Sequence, residues 1–89
     1  MIRRQIDIIN KLGLHARAAA KFVTLAAQYE SDVQLLGKDR KVNGKSIMGV
    51  MMLAAGQGTS LDLVAEGKDE IAAMDALEGL VKSRFGEKE

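Results

Sequence analysis

The sequence predicts an α+β chain folded as an open-faced α/β sandwich, with its elements in the order β-α-β-β-α-β-α. Three patterns carry that expectation. Residues 2–9 and 61–66 alternate apolar and polar side chains, as half-buried strands do. Residues 16–27 and 69–85 repeat apolar side chains every three or four positions, as helices lying on a sheet do. Between them, Val33 and Leu35, a Gly37-Lys38-Asp39 turn and the inward Val42 of a return strand over Arg40 to Asn43 make a β-hairpin. Alternation of this kind implies an antiparallel sheet with one face under the helices and the other in water.

In the first strand Ile2, Ile6 and Ile8 fall on one side and Arg3, Gln5 and Asp7 on the other, with Arg4 interrupting the apolar row. Gly13 then frees the backbone for a turn. The alanine-rich run that follows favours a helix, which puts His15 at its N-cap. Ala19, Phe22, Val23 and Ala26 form the stripe of that helix expected to lie on the sheet. Ala16, Ala20, Thr24 and Ala27 form a second stripe of small residues, open either to the close approach of another protein or to a reading as plain helix propensity.

After the hairpin, Asn43-Gly44 marks a turn. Ser46 is placed to cap a short helix over Ile47 to Ala54, whose Val50 and Leu53 point inward. Ile47, Met48, Met51 and Met52 are left over. If exposed they form an adaptable apolar patch for partners, and if buried they are ordinary core. Gly56 and Gly58 mark a loop, and Leu61, Leu63 and Ala65 face inward from the last strand. Asp69 is expected to cap the final helix, with Ile71, Met74, Leu77, Val81 and Phe85 facing the core and Glu78 pairing with Lys82. Gly86 and the Glu-Lys-Glu end read as a frayed polar tail.

At 89 residues the chain is read as one domain spanning 1–89. It has no cysteine, hence no disulfide, thiol nucleophile or thiolate metal site, and its single histidine argues against zinc. No stretch approaches a membrane span or a signal peptide, so a cytoplasmic location is expected. A net charge of +1 and only three aromatics lack the footprint of a nucleic-acid binder.

The chemistry is expected at His15. Unpaired N–H groups and the helix dipole make the start of that helix an anion site, and Arg17 adds a guanidinium that grips phosphate through two parallel bonds. Such a histidine suits a phosphoryl group, bound near the ring or carried on a ring nitrogen. The bland alternative is a capping histidine beside a solvated arginine.

Gly13-Leu14-His15-Ala16-Arg17 and Lys45-Ser46-Ile47-Met48, at this separation and in this element order, resemble the HPr family, the histidine-containing phosphocarriers of the bacterial phosphoenolpyruvate-dependent phosphotransferase system. The resemblance covers the whole chain. It implies a four-stranded sheet of order 1-4-2-3 with the two longer helices on one face. It also implies a monomeric carrier rather than an enzyme, with no cofactor. Enzyme I, charged from phosphoenolpyruvate, would deliver a phosphoryl group to Nδ1 of His15, and an enzyme IIA would take it away. Arg17 and the N–H groups of Ala16, Arg17 and Ala18 would offset the phosphoryl charge, while Ala20, Ile47, Met48, Met51 and Met52 would meet partners. Ser46 would be a regulatory site for an HPr kinase/phosphorylase.

The family usually has proline where this chain has Ala18, a change that restores an N–H near the phosphate and loosens the preceding loop. No general base is expected beside His15. Two other outlets stay open: the nitrogen-related branch of the same system, and a regulatory binding module controlled through Ser46.

Overall fold

The alternating residues of the first strand reach the core as expected: Ile6 and Ile8 are buried, and Arg3, Gln5 and Asp7 are exposed. The computed structural model describes residues 1–89. It contains β1 (Ile2–Asp7), α1 (Ala16–Ala26), β2 (Asp32–Leu36), β3 (Lys41–Asn43), α2 (Ile47–Met52), β4 (Ser60–Glu66) and α3 (Glu70–Lys82), closed by a 3₁₀ turn at Arg84–Gly86. All strand pairs are antiparallel and the sheet order is β1-β4-β2-β3. This is the open-faced sandwich that the alternation predicts and the strand order that the resemblance implies.

Register explains the core. Ile6 lies opposite Leu61, Val33 opposite Ala65, and Leu35 opposite both Leu63 and Val42, so one face of the sheet is a continuous apolar row. Phe22 and Ala19 of α1 and Met74, Leu77 and Val81 of α3 complete the same cluster. Burial of that apolar area is the main force holding the domain together.

Five local expectations are corrected. Ile71 does not face the core and is 63% exposed. It sits one turn before Met74, but six residues before Leu77, about 120° round the helix from it; Ala73 occupies the inward place instead. Phe85 is fully buried, yet not as a continuation of α3. The helix ends at Lys82, and left-handed backbone at Arg84 and Phe85 (φ 59° and 55°) swings the ring into the core.

Asp69 does not cap α3 with its side chain. Its carboxylate accepts instead from the Glu30 amide (2.9 Å), the Ser31 amide (3.0 Å) and the Ser31 hydroxyl, fastening the turn before β2 to the start of α3. These bonds, that of the Ser31 hydroxyl foremost, hold the Asp69 carboxyl below the usual carboxylate range. The short helix α2 stops at Met52 rather than Ala54, because Ala54 turns left-handed (φ 51°) and lets Ala55 drop into the core. The tail after Gly86 is the fifth correction and belongs to the site.

Arg4 interrupts the apolar row because it sits at the rim. Its guanidinium bridges Asp75 and Glu78 of α3, both at 2.9 Å. The expected Glu78–Lys82 pair is present at 3.8 Å, more loosely held than Glu78 to Arg4.

Candidate functional site

Asn10 to Leu14 deliver His15 to the start of α1. Gly13 adopts φ 67°, a left-handed conformation that favours glycine, and a Cβ there would lie 2.5 Å from the Ala55 carbonyl oxygen. That same oxygen accepts the Leu14 amide at 2.8 Å, while the Leu14 side chain is buried. Thus the turn is pinned on both sides of the peptide preceding His15. Asn10 is fully buried, and its Nδ2 donates to the Gly13 carbonyl at 2.8 Å.

His15 takes the N-cap position with extended backbone (φ −70°, ψ 174°), and its carbonyl accepts the Ala19 amide at 2.8 Å. Its side chain does not cap the helix. The ring is therefore free for other work, and the N–H groups of Ala16, Arg17 and Ala18 lack intrahelical acceptors. Ala16 and Arg17 are exposed, Ala18 is buried, and the Arg17 guanidinium forms no ion pair. The helix start therefore gathers its positive end, one free guanidinium and one imidazole in one place.

The C-terminal tail does not fray. It folds back over this site, and the Glu87 carboxylate meets Nε2 of His15 through one oxygen. The other oxygen accepts from Asn10 Nδ2 at 3.0 Å. The Lys11 amide donates to the Glu89 carbonyl at 2.7 Å, so the tail is also tied to the loop by its backbone. The bond from His15 foremost, then that from Asn10, with Arg17 nearby, holds the Glu87 carboxyl below its usual range. A carboxylate thus stands beside His15 where none was expected. With the two partners 72 positions apart in the chain, no local pattern in the sequence announces the contact.

Lys11, Leu12, Arg17, Glu87, Lys88 and Glu89 line an open hollow beside the ring. Leu12 is 67% exposed at its rim.

Ser46 caps α2 as expected: its hydroxyl accepts from the Gly49 amide at 3.1 Å. Val50 is the buried residue of the helix, whereas Ile47, Met48, Met51 and Met52 are all exposed, so the core alternative for these four is excluded. The helix packs beside α1, whose Ala20 is half-buried and whose Ala16, Thr24 and Ala27 are exposed. No helix is long and apolar enough to cross a membrane.

An antiparallel open-faced sandwich with a histidine opening its first long helix is an arrangement shared with known proteins. The family model described as the PTS HPr component phosphorylation site matches residues 2–83. The phosphocarrier protein HPr of Neisseria meningitidis serogroup A is 54% identical over 89 residues, covering 100% of both chains. The phosphocarrier protein HPr of Pseudomonas aeruginosa is 56% identical over 87 residues, covering 96% of each. The crystal structure of HPr-C-His from Thermoanaerobacter tengcongensis superposes with a TM-score of 0.96 at 47% identity, covering 100% of both chains. The chain belongs to the HPr family of phosphocarrier proteins, which carry a phosphoryl group rather than act as enzymes.

Proposed function

We propose that this chain takes a phosphoryl group on Nδ1 of His15 from enzyme I of the phosphoenolpyruvate-dependent phosphotransferase system and passes it to an enzyme IIA in the cytoplasm. The observation that supports this most is the union of the imidazole, the free Arg17 guanidinium and the unpaired amides of Ala16, Arg17 and Ala18 at one helix end. A neutral imidazole nitrogen is a competent nucleophile near neutral pH, and the phosphoimidazole that it forms is a good donor. Phosphoryl transfer depends mostly on alignment and on offsetting charge at the phosphoryl oxygens, which Arg17 and the amides supply. The apolar residues Ile47, Met48, Met51 and Met52, with Ala20 beside them, form the docking surface for both partners.

Incubation with enzyme I and phosphoenolpyruvate, followed by intact mass, tests the assignment. One acid-labile, base-stable phosphoryl group is expected on the wild type and none on His15→Ala; labelling that survives in the variant overturns it.

Ser46 supports a second role as a phosphorylation site for an HPr kinase/phosphorylase, because its capping hydroxyl lies directly before the exposed Ile47 and Met48. Sugar delivery and the nitrogen-related branch share the His15 chemistry. A transfer assay with each enzyme IIA separates them.

A further inference from the structure

We propose that Glu87 is a positioning residue for His15: it accepts the Nε2–H, so that the lone pair of Nδ1 faces the donor, and it balances the charge that the ring takes on when Nδ1 is phosphorylated. The proposal rests on the reading of His15 as the acceptor.

Three observations support it. Glu87 is held from two directions, by Asn10 Nδ2 at 3.0 Å on one oxygen and by His15 Nε2 on the other. Asn10 is itself fully buried and bonded to the Gly13 carbonyl, so the carboxylate is anchored to the turn that carries His15 rather than resting on it by chance. Both partners of the pair are largely sheltered, with 24% of the His15 side chain and 14% of the Glu87 side chain exposed, which limits screening by water.

The hydrogen bond made by one ring nitrogen decides what the other can do. In the neutral ring a proton on Nε2, held by the carboxylate, leaves the lone pair on Nδ1, which is then the nucleophile. During transfer the Nδ1–P bond forms while the bond from phosphorus to the donor atom of charged enzyme I breaks, and the bonding pair leaves with that atom. The Nε2 proton stays on the ring, which becomes a phosphoimidazolium facing Glu87. Return transfer to an enzyme IIA reverses each change, so no further acid or base is required.

Glu87→Ala and Glu87→Gln, made in the full chain, test this with enzyme I and phosphoenolpyruvate. Glu87→Ala should slow transfer at saturating partner by about tenfold, or ~1.4 kcal/mol, with half-saturation and melting temperature nearly unchanged. Glu87→Gln keeps one acceptor oxygen for Nε2–H without the charge, its NH2 taking the place of the oxygen to which Asn10 Nδ2 donates. It should preserve the ring tautomer seen in ¹⁵N spectra while transferring at a rate between those of wild type and Glu87→Ala. An unchanged rate with an unchanged ¹⁵N spectrum in Glu87→Ala overturns the proposal, as does faster transfer, which would mark the tail as an obstruction. Mapping the label decides where a failure lies. A phosphoryl group found away from His15 removes the acceptor reading itself, whereas label on His15 at wild-type rate in Glu87→Ala removes only the role of Glu87.

Discussion

A Cβ placed on Gly13 would stand 2.5 Å from the carbonyl oxygen of Ala55, the atom that holds the Leu14 amide at 2.8 Å. The loop before His15 and the loop after α2 are therefore in backbone contact where a side chain has no room. Gly13→Ala is expected to lose about 1 to 3 kcal/mol from the positive φ alone, with the clash adding to it. Urea unfolding measures the loss. Phosphoryl acceptance should fall as well, because any relief of the clash moves the peptide that precedes His15.

Arg17 is exposed and unpaired, so it contributes little to the fold. Arg17→Ala should leave the melting temperature nearly unchanged and slow phosphoryl transfer by about tenfold, corresponding to ~1.4 kcal/mol of transition-state stabilisation. Rapid-quench transfer from charged enzyme I, read beside a thermal melt, separates the two effects. A large fall in stability with normal transfer would reverse the assignment.

The Asp69 carboxylate gathers the Glu30 amide, the Ser31 amide and the Ser31 hydroxyl, and its folded-state pKa is lowered by those bonds. A carboxyl that is more acidic folded than unfolded adds stability that is full above about pH 4, its unfolded value, and drains as the pH falls through the lower folded value. Asp69→Asn should therefore be less stable than wild type at pH 7, and the difference should shrink as the pH falls below 4. Denaturant melts at neutral and acid pH check this. A difference that stays constant across the range would assign the loss to packing instead.

The exposed side chains of α2 make a different kind of test. Met48 is 69% exposed and Met51 41%, whereas Val50 between them is fully buried. Met48→Asp and Met51→Asp should stay folded, with changes within about 0.5 kcal/mol, and should bind enzyme I about tenfold more weakly, since a charge would lie unpaired in a desolvated interface. Val50→Asp should unfold the chain. Titration calorimetry and circular dichroism distinguish these outcomes, and full affinity in both methionine variants would remove the patch from the interface.

The sheet was legible because alternation at Ile6 and Ile8, Val33 and Leu35, and Leu61 and Leu63 has only one way to face a core. The position of His15 was legible for a similar local reason: a turn glycine before it and helix-forming alanines after it. Contacts between distant segments were not. Glu87 beside His15, Arg4 on Glu78 and Asp69 on Ser31 join residues far apart in the chain through polar groups that follow no period. Ile71 misled because spacing from its nearest helical neighbour says less than its angle to the whole stripe.

Ser46 is both a helix cap and the site of the proposed regulation. It accepts the Gly49 amide at 3.1 Å, so Ser46→Ala should cost about 1 kcal/mol by loss of the cap. A phosphate on the same oxygen adds ~1.5 to 2 negative charges at a helix N-terminus, where free amides and the dipole favour it, and should leave stability unchanged or slightly raised. Its effect would fall on partners. Ile47 and Met48 follow immediately and are exposed, so the charge would stand at the edge of the apolar docking surface. There it adds desolvation cost and repels any acidic surface that complements Arg17 and the start of α1. Transfer to His15 should then slow through weaker binding, raising half-saturation for enzyme I while the rate at saturation holds. Ser46→Asp mimics part of that charge and also keeps a capping oxygen, so it should separate from Ser46→Ala: the aspartate variant folded but weakly bound, the alanine variant less stable but normally bound. Calorimetric binding to enzyme I, measured beside thermal melts for both variants and for enzymatically phosphorylated protein, checks each expectation. If the phosphorylated protein binds and accepts as well as the unmodified one, Ser46 is a helix cap and the regulatory role is removed.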